Sequence, residues 1–425
     1  MQAQLSRRPL AIPLGILWVA AFGVGLVGVI LRLLTGHELA NYTSSIPWGL
    51  WVAGYIYFVG LSAGAFLISA MIYVFDFRRL EPIGKLALFT ALVSLVAALF
   101  IIWLDLGHQW RFYRIFTDGN TVSMMAWMVW LYTAYAVVLS VEFWLAIRGD
   151  LVEWAQEETA RGRLANLLLG RFGDALSGRA LVLSIPHDRE ADMRRLRVLG
   201  AIGVPLAVAF HGGVGALFGV VGAREYWNAP IYPLMFITGA LVSGGGLLAA
   251  IVAFFWPSKG TFAHREMVVS LSRITLGLLA AYLIMVWAEF SITLYADIPQ
   301  ASRPLYQILG GPYPWVFWVF QVALGAVVPI VIMLVRPRSV TMVGVAMFLV
   351  AACFLATRLN IVIPGLLEPQ LLGLDKAYME PRLAYEYFPS LMEWSVFVFV
   401  IALAVGLFYA GFRALPLVTE KETSR

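Results

Sequence analysis

Residues 46–76 read IPWGLWVAGYIYFVGLSAGAFLISAMIYVFD, and this stretch decides the class of fold. It is apolar for more than the roughly 20 residues that an α-helix needs to cross a bilayer. Pro47 stands where a first helical turn tolerates proline, and Trp48 is the kind of residue that favours a membrane interface. Gly60 and Gly64 are spaced so that another helix or a flat ligand can approach the backbone closely.

The composition of the whole chain agrees with a membrane protein. Of the 425 residues, 61% are hydrophobic and 13% are charged, whereas soluble domains carry about 25% charged residues. The net charge of +5 does not indicate a nucleic-acid partner, because the basic residues lie between the apolar segments, where orientation signals belong. We therefore expect an all-α integral membrane protein that is surrounded by lipid and has no nucleic-acid partner.

Ten apolar segments are long enough to span a membrane. They cover residues 11–34, 48–76, 84–106, 121–147, 197–221, 231–256, 268–294, 315–335, 339–359 and 390–413. Spans two and six both open with proline and an aromatic residue and carry a Ser/Gly cluster near the middle. This weak repeat predicts two parallel four-helix bundles, spans 2–5 and spans 6–9, with two peripheral helices. Parallel repeats also occur in transporters.

The predicted organisation has four parts. They are residues 1–47, with the first span and an outer loop; 48–221, the first bundle with a long cytoplasmic loop at 149–196; 222–360, the second bundle; and 361–425, with an outer loop, the last span and a cytoplasmic tail. The long loop is either solvated or contains an amphipathic helix, whose apolar residues would be Trp154, Leu164, Leu167, Leu168 and Phe172.

The basic residues are distributed unevenly between the two sides. With an even number of spans both termini share a side, and 22 of the 30 Lys and Arg residues fall on it. The positive-inside rule then predicts that both termini are cytoplasmic. We also expect the membrane to be the inner membrane of a bacterium or archaeon.

The residues available as cofactor ligands are few. Cys353 is the only cysteine, so no cysteine-ligated iron–sulfur cluster and no Cys-based zinc site is expected in this chain. The five histidines offer no convincing pair on facing helices, so we expect no haem and no metal.

Ionisable residues cluster at the outer end of the third span. Asp105, His108 and Arg111 follow one another closely there. Asp105 and His108 are three residues apart, a spacing that places two side chains side by side on a helix. A carboxylate beside an imidazole favours a proton donor, so these two are predicted to be catalytic. The alternative is a structural Asp105–Arg111 ion pair.

Further residues are expected to converge on the same pocket from other spans. They are His37, Trp48, Trp127, Tyr132 and His211. Aromatic walls with a few hydrogen-bonding and titratable groups suit a quinone, whose flat ring has two carbonyl oxygens and takes up two protons on reduction. His211 has an equally good interpretation as a core histidine.

Two more sets of charged residues lie apart from this pocket. Glu142 and Asp76 lie toward the cytoplasmic side, where they form either ion pairs with nearby arginines or a proton pathway to the quinone. Glu289, Arg358 and Glu393 lie near the outer ends of spans seven, nine and ten, and we expect them to pair as a structural lock in the second bundle.

Three short motifs carry a family resemblance. Pro47-Trp48-Gly49, Asp105-Leu106-Gly107-His108 and the stretch from Tyr387 to Glu393 resemble the NrfD/PsrC family of polysulfide-reductase-like membrane subunits. The last stretch is similar to a ten-span branch with the membrane subunits of type-2 hydrogenases, of the sulfite-reduction-linked complex and of menaquinone reductases. The chain departs from the family's usual Asp-Leu-Gly-Arg-Pro, because His108 and Gln109 replace Arg-Pro.

The resemblance implies a quinone-binding subunit without a redox centre of its own. Menaquinone or ubiquinone would be its substrate, and an iron–sulfur, ferredoxin-like subunit would exchange electrons with it on the outer side, alongside further catalytic or cytochrome subunits. Proton translocation would accompany the reaction in some complexes. The alternatives are a secondary transporter and a purely structural membrane anchor of a redox complex.

Overall fold

The computed structural model describes residues 11–172, 181–182, 188–371, 373–377 and 380–418. This part of the chain contains ten helices that are long and apolar enough to cross a membrane, which confirms the predicted all-α membrane fold. We number them α1 (Ala11–Thr35), α2 (Leu50–Tyr73), α3 (Gly84–Asp105), α4 (Met124–Trp154), α5 (Arg189–Gly219), α6 (Tyr232–Phe255), α7 (Phe262–Ala296), α8 (Val316–Val335), α9 (Val340–Val362) and α10 (Leu391–Ala414).

Shorter elements connect the spans. They are the 3₁₀ turns Arg78–Ile83, Gln109–Arg111 and Pro381–Leu383; the helices Arg114–Thr117, Ala160–Leu168, Pro299–Gly310, Pro364–Leu367 and Leu374–Ala377; and the strands Arg171–Phe172 and Leu181–Val182, which pair antiparallel. The first part of α8, Val316–Val327, is a π-helix, and the rest is α-helical.

Side-chain caps fix where several spans begin. Ser123, Asp188, Thr261, Ser339 and Ser390 each precede a long helix and accept a hydrogen bond from a backbone N–H of its first turn. Such caps satisfy backbone donors that a helix start leaves without partners. Ser390 and Glu393 form a reciprocal capping box at α10. These polar residues therefore mark the beginnings of apolar helices.

The start of α2 differs from the prediction. The helix begins at Leu50, so Pro47 precedes the first turn instead of lying in it. The Leu50 N–H donates to the Tyr387 hydroxyl at 2.8 Å, which replaces a conventional side-chain cap. A Cβ atom added at Gly49 would lie 2.0 Å from that hydroxyl oxygen, so only glycine lets Tyr387 reach the helix end.

Helix α2 is the most buried span and lies against α6. A Cβ atom added at Gly64 would lie 1.9 Å from the Ala240 carbonyl oxygen of α6. One added at Gly244 of α6 would lie 2.6 Å from the Ala65 backbone nitrogen of α2. The small residues of the opening stretch therefore serve a close helix–helix crossing, as small-residue spacings do in other membrane helices.

The other helices are arranged around this crossing. Helix α2 also contacts α3, α5, α9 and α10, and α6 also contacts α5, α7 and α9. Helix α4 contacts α3 and α5, α8 contacts α9, and α1 packs along α10. The grouping into two four-helix bundles, and the four-part division of the chain, stay predictions.

The connection between α4 and α5 is shorter than the predicted loop at 149–196. Helix α4 continues to Trp154 and α5 already begins at Arg189, where Asp192 forms a buried ion pair with Arg148 at 3.0 Å. The predicted amphipathic helix is therefore wrong in extent. Only Leu164, Leu167 and Leu168 share the helix Ala160–Leu168, while Trp154 belongs to α4 and Phe172 to a strand. The Trp144 Nε1 donates to the Leu168 carbonyl oxygen at 3.0 Å, which holds the short helix against α4.

Candidate functional site

A cluster of polar side chains lies where α1 and α3 end and α10 begins. Asp105, the last residue of α3, accepts a hydrogen bond from the Tyr42 hydroxyl at 2.9 Å. His37 lies beside this pair, with its ring 5.5 Å from the Tyr42 ring and 5.9 Å from the Trp51 ring, centroid to centroid. We call Arg32, His37, Tyr42, Asp105, Tyr387 and Glu393 the outer cluster.

Arg32 holds the centre of the outer cluster, although it is not among the site residues predicted from the sequence. Its side chain is buried, and Nη2 donates to the Leu106 carbonyl oxygen at 2.8 Å and to His37 Nε2 at 3.3 Å. With its oxygen facing the guanidinium, the Gln109 amide accepts at 3.1 Å from both Nη1 and Nη2. An arginine inside an apolar span is itself an indicator of function, and Arg32 is the only charged residue in the predicted first span.

The hydrogen bond from Arg32 fixes the state of His37. Arginine has donors only, so His37 Nε2 must be the acceptor and the ring proton must sit on Nδ1. The Asp105 backbone carbonyl is available to accept from that side of the ring. Burial and the nearby Arg32 charge lower the pKa of His37 below its usual 6.5. His37 is therefore neutral at neutral pH.

Glu393 and Tyr387 complete the outer cluster from the C-terminal part of the chain. The fully buried Glu393 carboxylate accepts from the backbone N–H groups of Asn41, at 3.0 Å, and Ser390, at 2.9 Å, and from the Tyr387 hydroxyl. Burial raises the pKa values of Tyr42 and Tyr387 well above 10, and nearby carboxylates add to this, so both hydroxyls stay protonated donors. The two tyrosine rings lie 6.1 Å apart.

The predicted partners of Asp105 lie elsewhere. Helix α3 ends at Asp105, and Leu106 is extended, so the three-residue spacing to His108 does not place both side chains on one helix face. Within the described residues, neither His108 nor Arg111 forms a hydrogen bond or ion pair with Asp105, and both are exposed. The structure therefore joins Asp105 to Tyr42 instead.

The predicted aromatic walls do not meet at Asp105 either. Trp48 stacks on Trp227 with a centroid separation of 5.7 Å, beside α5 rather than α3. Tyr132 meets the Phe210 ring edge-on at 5.9 Å, and Trp127 is exposed, with its Nε1 donating to the Thr121 carbonyl oxygen.

His211 and Arg358 instead form a second polar centre between α2, α5, α6 and α9. Atoms of both side chains lie within 3.6 Å of the position that a Cβ atom at Gly60 would take. The Arg358 guanidinium lies over the Phe236 ring, 4.4 Å from its centroid. Among the described residues, none of its three nitrogens and neither His211 ring nitrogen makes a hydrogen bond of good geometry.

This placement separates the three residues of the predicted structural lock. Glu393 belongs to the outer cluster, while Arg358 faces His211, because α10 packs along α1 and α3 rather than along α9. Glu289 is half-buried in α7 and interacts electrostatically with Tyr226 and Tyr232.

The two predicted proton-pathway residues lie in different surroundings. Glu142 is buried in α4, and its Oε1 has no hydrogen-bond partner among the described residues. A Cβ atom at Gly203 of α5 would lie 3.0 Å from that oxygen. Asp76 is exposed just after α2 and has a left-handed backbone with φ of 54°. Glu142 thus lies in the interior, whereas Asp76 lies at the surface.

In the described part of the chain, no group of three or more His, Cys, Asp or Glu side chains is arranged to hold a metal ion. The outer cluster itself offers groups for proton exchange and for hydrogen bonding to a polar ligand, and its partly exposed residues are Asp105, Tyr42 and His37.

Comparisons with known proteins give matches that cover most of the chain. The family model described as polysulphide reductase, NrfD, matches residues 38–370. A selenate reductase subunit of Mesobacillus selenatarsenatis is 35% identical over 406 residues, which are 94% of this chain and 92% of that protein.

Two further relatives are more distant. The Hdr-like menaquinol oxidoreductase integral membrane subunit of Archaeoglobus fulgidus is 28% identical over 90% of this chain and 88% of its own. The menaquinone reductase integral membrane subunit of Nitratidesulfovibrio vulgaris is 21% identical over 94% of this chain and 90% of its own.

Proposed function

The chain belongs to the polysulphide reductase NrfD family, and on that premise we propose that it is the quinone-reacting integral membrane subunit of a multisubunit oxidoreductase. Two of its relatives are named for menaquinone or menaquinol, and a third is named as part of a selenate reductase. The observation that carries the proposal is the outer cluster, which gathers a carboxylate, a tyrosine hydroxyl and a neutral histidine at one end of the spans.

In the proposed site the quinone head group binds beside Asp105. Asp105 exchanges a proton with a quinone oxygen during reduction or oxidation, and the Tyr42 hydroxyl, which donates its one proton to the Asp105 carboxylate, holds that carboxylate in place. Because α3 ends at Asp105, this residue lies at the end of the span and is partly exposed, which puts it close to where a ligand could bind. His37, whose tautomer Arg32 fixes, offers a second titratable group close by.

The electrons are proposed to come from, or go to, an iron–sulfur partner subunit. The single cysteine supplies no cluster ligands beyond itself, so the redox centres belong to other chains. The connection between α3 and α4, which starts directly after Asp105, exposes several large apolar residues: Trp110, Phe112, Tyr113, Phe116 and Val122. Exposed apolar patches mark interaction sites, so we place the partner on this surface.

We further propose an orientation and a proton route. In this proposal both termini lie in the cytoplasm of a bacterial or archaeal cell and the outer cluster lies on the opposite side, and the excess of basic residues on the side of the termini supports it. Glu142 would pass protons from the cytoplasmic side toward the interior, since its buried carboxylate has an oxygen without a partner in the described part. A cysteine placed at Glu158 in a Cys353→Ala background tests the orientation, because only the cytoplasmic face should label it.

The central experiment compares two activities of the same complex in membranes. Asp105→Asn is expected to reduce quinone-dependent turnover by about 10²–10⁴-fold, the usual effect of losing a general acid–base group. Dye-dependent turnover at the partner subunit should persist. Asp375→Asn, an exposed acid on the connection between α9 and α10, is the matched control and should change neither activity. Loss of both activities in Asp105→Asn would mean a structural or docking role, and loss of neither would place the quinone elsewhere.

A further inference from the structure

A cavity of about 340 Å³ lies between α8, α9 and the segment that leads into α10. This volume falls at the lower end of the range of about 300–1,000 Å³ that small-molecule sites occupy. Helix α9 supplies the floor, with Ala352, Cys353 and Ala356. The sides are aromatic, with Tyr313, Trp315, Phe320, Phe388 and Trp394.

The backbone explains why space remains here. Helix α8 packs mainly on α9, and its first twelve residues form a π-helix, a widened form that occurs often at functional sites. Ala352 and Ala356 are one turn apart on α9, so small side chains face the cavity there.

The rim of the cavity opens at the outer surface of the helix assembly, where the spans face lipid. Trp315, Phe388 and Trp394 line the cavity and are 46%, 48% and 36% exposed. Trp394 lies in the first turn of α10, and Trp315 and Phe388 lie in the segments that lead into α8 and α10, so all three stand at the ends of spans, where aromatic residues face the membrane interface. A long apolar chain can therefore leave the cavity directly into the bilayer.

Two side-chain amide groups in the cavity can form hydrogen bonds with a ligand. The hydrocarbon chain of a lipid could not accept such bonds. Asn360 Nδ2 donates to Gln321 Oε1 at 2.8 Å, and Gln307 Nε2 donates to Glu368 Oε1 at 3.3 Å. Both Asn360 and Gln307 line the cavity. A side-chain amide has two N–H groups, so each of these residues keeps one for a ligand oxygen.

We propose that this cavity binds a membrane quinone. Its flat ring packs against the aromatic sides, its carbonyl oxygens accept hydrogen bonds from Asn360 and Gln307, and its isoprenoid chain extends between Phe388 and Trp394 into lipid. The assignment rests on the proposed quinone function and adds a second binding site to the outer cluster. Tyr387 belongs to both, because its ring lines the cavity and its hydroxyl bonds Glu393.

Cys353 provides a direct test, because it is the only cysteine in the chain and lines the cavity. The purified complex is treated with N-ethylmaleimide, and alkylation of Cys353 is followed by mass spectrometry of this chain. The probe is 2,3-dimethyl-1,4-naphthoquinone, whose substituted ring positions do not add to thiols. At ten times its Kd, the probe should slow alkylation by about tenfold, since only the free site reacts.

Three variants make the test specific to the cavity. Ala356→Trp fills it and should abolish the effect of the quinone on the alkylation rate. Val345→Trp is the matched control on the same helix, outside the cavity and 37% exposed, and should leave the quinone effect intact. If Ala356→Trp does not assemble, Asn360→Leu removes one donor at similar volume and should raise the half-protecting concentration by about fivefold.

The outcomes separate this inference from the proposed function. No protection, in a complex that still turns over quinone, would overturn the cavity assignment and leave the function standing. Equal protection by dioleoylphosphatidylglycerol and by the quinone would assign the cavity to a lipid chain and also overturn it. Protection by the quinone alone, even in a complex without quinone turnover, would support the site while contradicting the function.

Discussion

The close crossing of α2 and α6 predicts that Gly60 and Gly64 respond differently when each is replaced by alanine. In Gly64→Ala the new methyl group would lie 1.9 Å from the Ala240 carbonyl oxygen. Real Cβ contacts are essentially never shorter than 3.0 Å, so the two backbones must separate by at least about 1 Å. In Gly60→Ala the nearest atoms lie at 3.5–3.6 Å, which is ordinary van der Waals contact.

The magnitudes follow from this geometry. Overpacking typically costs about 1–3 kcal/mol, and a backbone–backbone clash belongs at the upper end or beyond. Gly60→Ala meets no clash and gains up to about 1 kcal/mol of helix propensity. Thermal unfolding of the purified chain in detergent should therefore show a fall of at least about 3 °C for Gly64→Ala and no fall for Gly60→Ala. Equal behaviour of the two variants would refute the described crossing.

Three other predictions follow from charged residues. Because the pKa of His37 is lowered in the folded chain, the unfolded chain binds the proton first, and the stability of the folded chain falls as the pH drops below 6.5. His37→Gln should reduce this loss of stability. The measurement compares thermal unfolding of each protein at about pH 7.5 and at about pH 5.5. Arg148→Met should destabilise the chain by about 1.5–3 kcal/mol in denaturant titration, because it removes one of the two arginines that bond the buried Asp192 carboxylate while Arg195 remains, and a loss below about 1 kcal/mol would contradict the importance of the Arg148 bond. Glu142→Gln should reduce the membrane potential generated by the complex in proteoliposomes without loss of assembly, and an unchanged potential would assign Glu142 a structural role.

The spans were predictable because each is specified locally. A run of apolar residues longer than the bilayer is wide has to become a helix, whatever the rest of the chain does. All ten were therefore found, and the predicted membership of the NrfD family was also confirmed. The helix ends were less predictable, since α4 and α5 extend beyond their apolar runs through charged residues such as Arg148 and Asp192, which neutralise each other.

The partners of the polar residues could not be predicted in the same way. Asp105 bonds Tyr42, which lies 63 residues earlier, and no spacing rule connects the two. The pairing of Asp105 with His108 assumed that the helix continued, whereas α3 ends at Asp105. Arg32 was not among the predicted site residues, although a local rule identifies it, because a lone arginine inside an apolar span requires a partner.

The bond between Asn41 and Glu393 has a consequence for how the protein is made. Their contact joins positions 352 residues apart, so the ribosome has produced almost the whole chain before Glu393 emerges. Until then Leu50 lacks the hydroxyl of Tyr387 at its backbone N–H, and α1 lacks its long packing partner α10. The first helix therefore has to remain in the bilayer without this packing partner until the last helix has been made. A protein truncated before Glu393 would keep most of its spans, yet its first two would remain without these partners and open to a membrane protease.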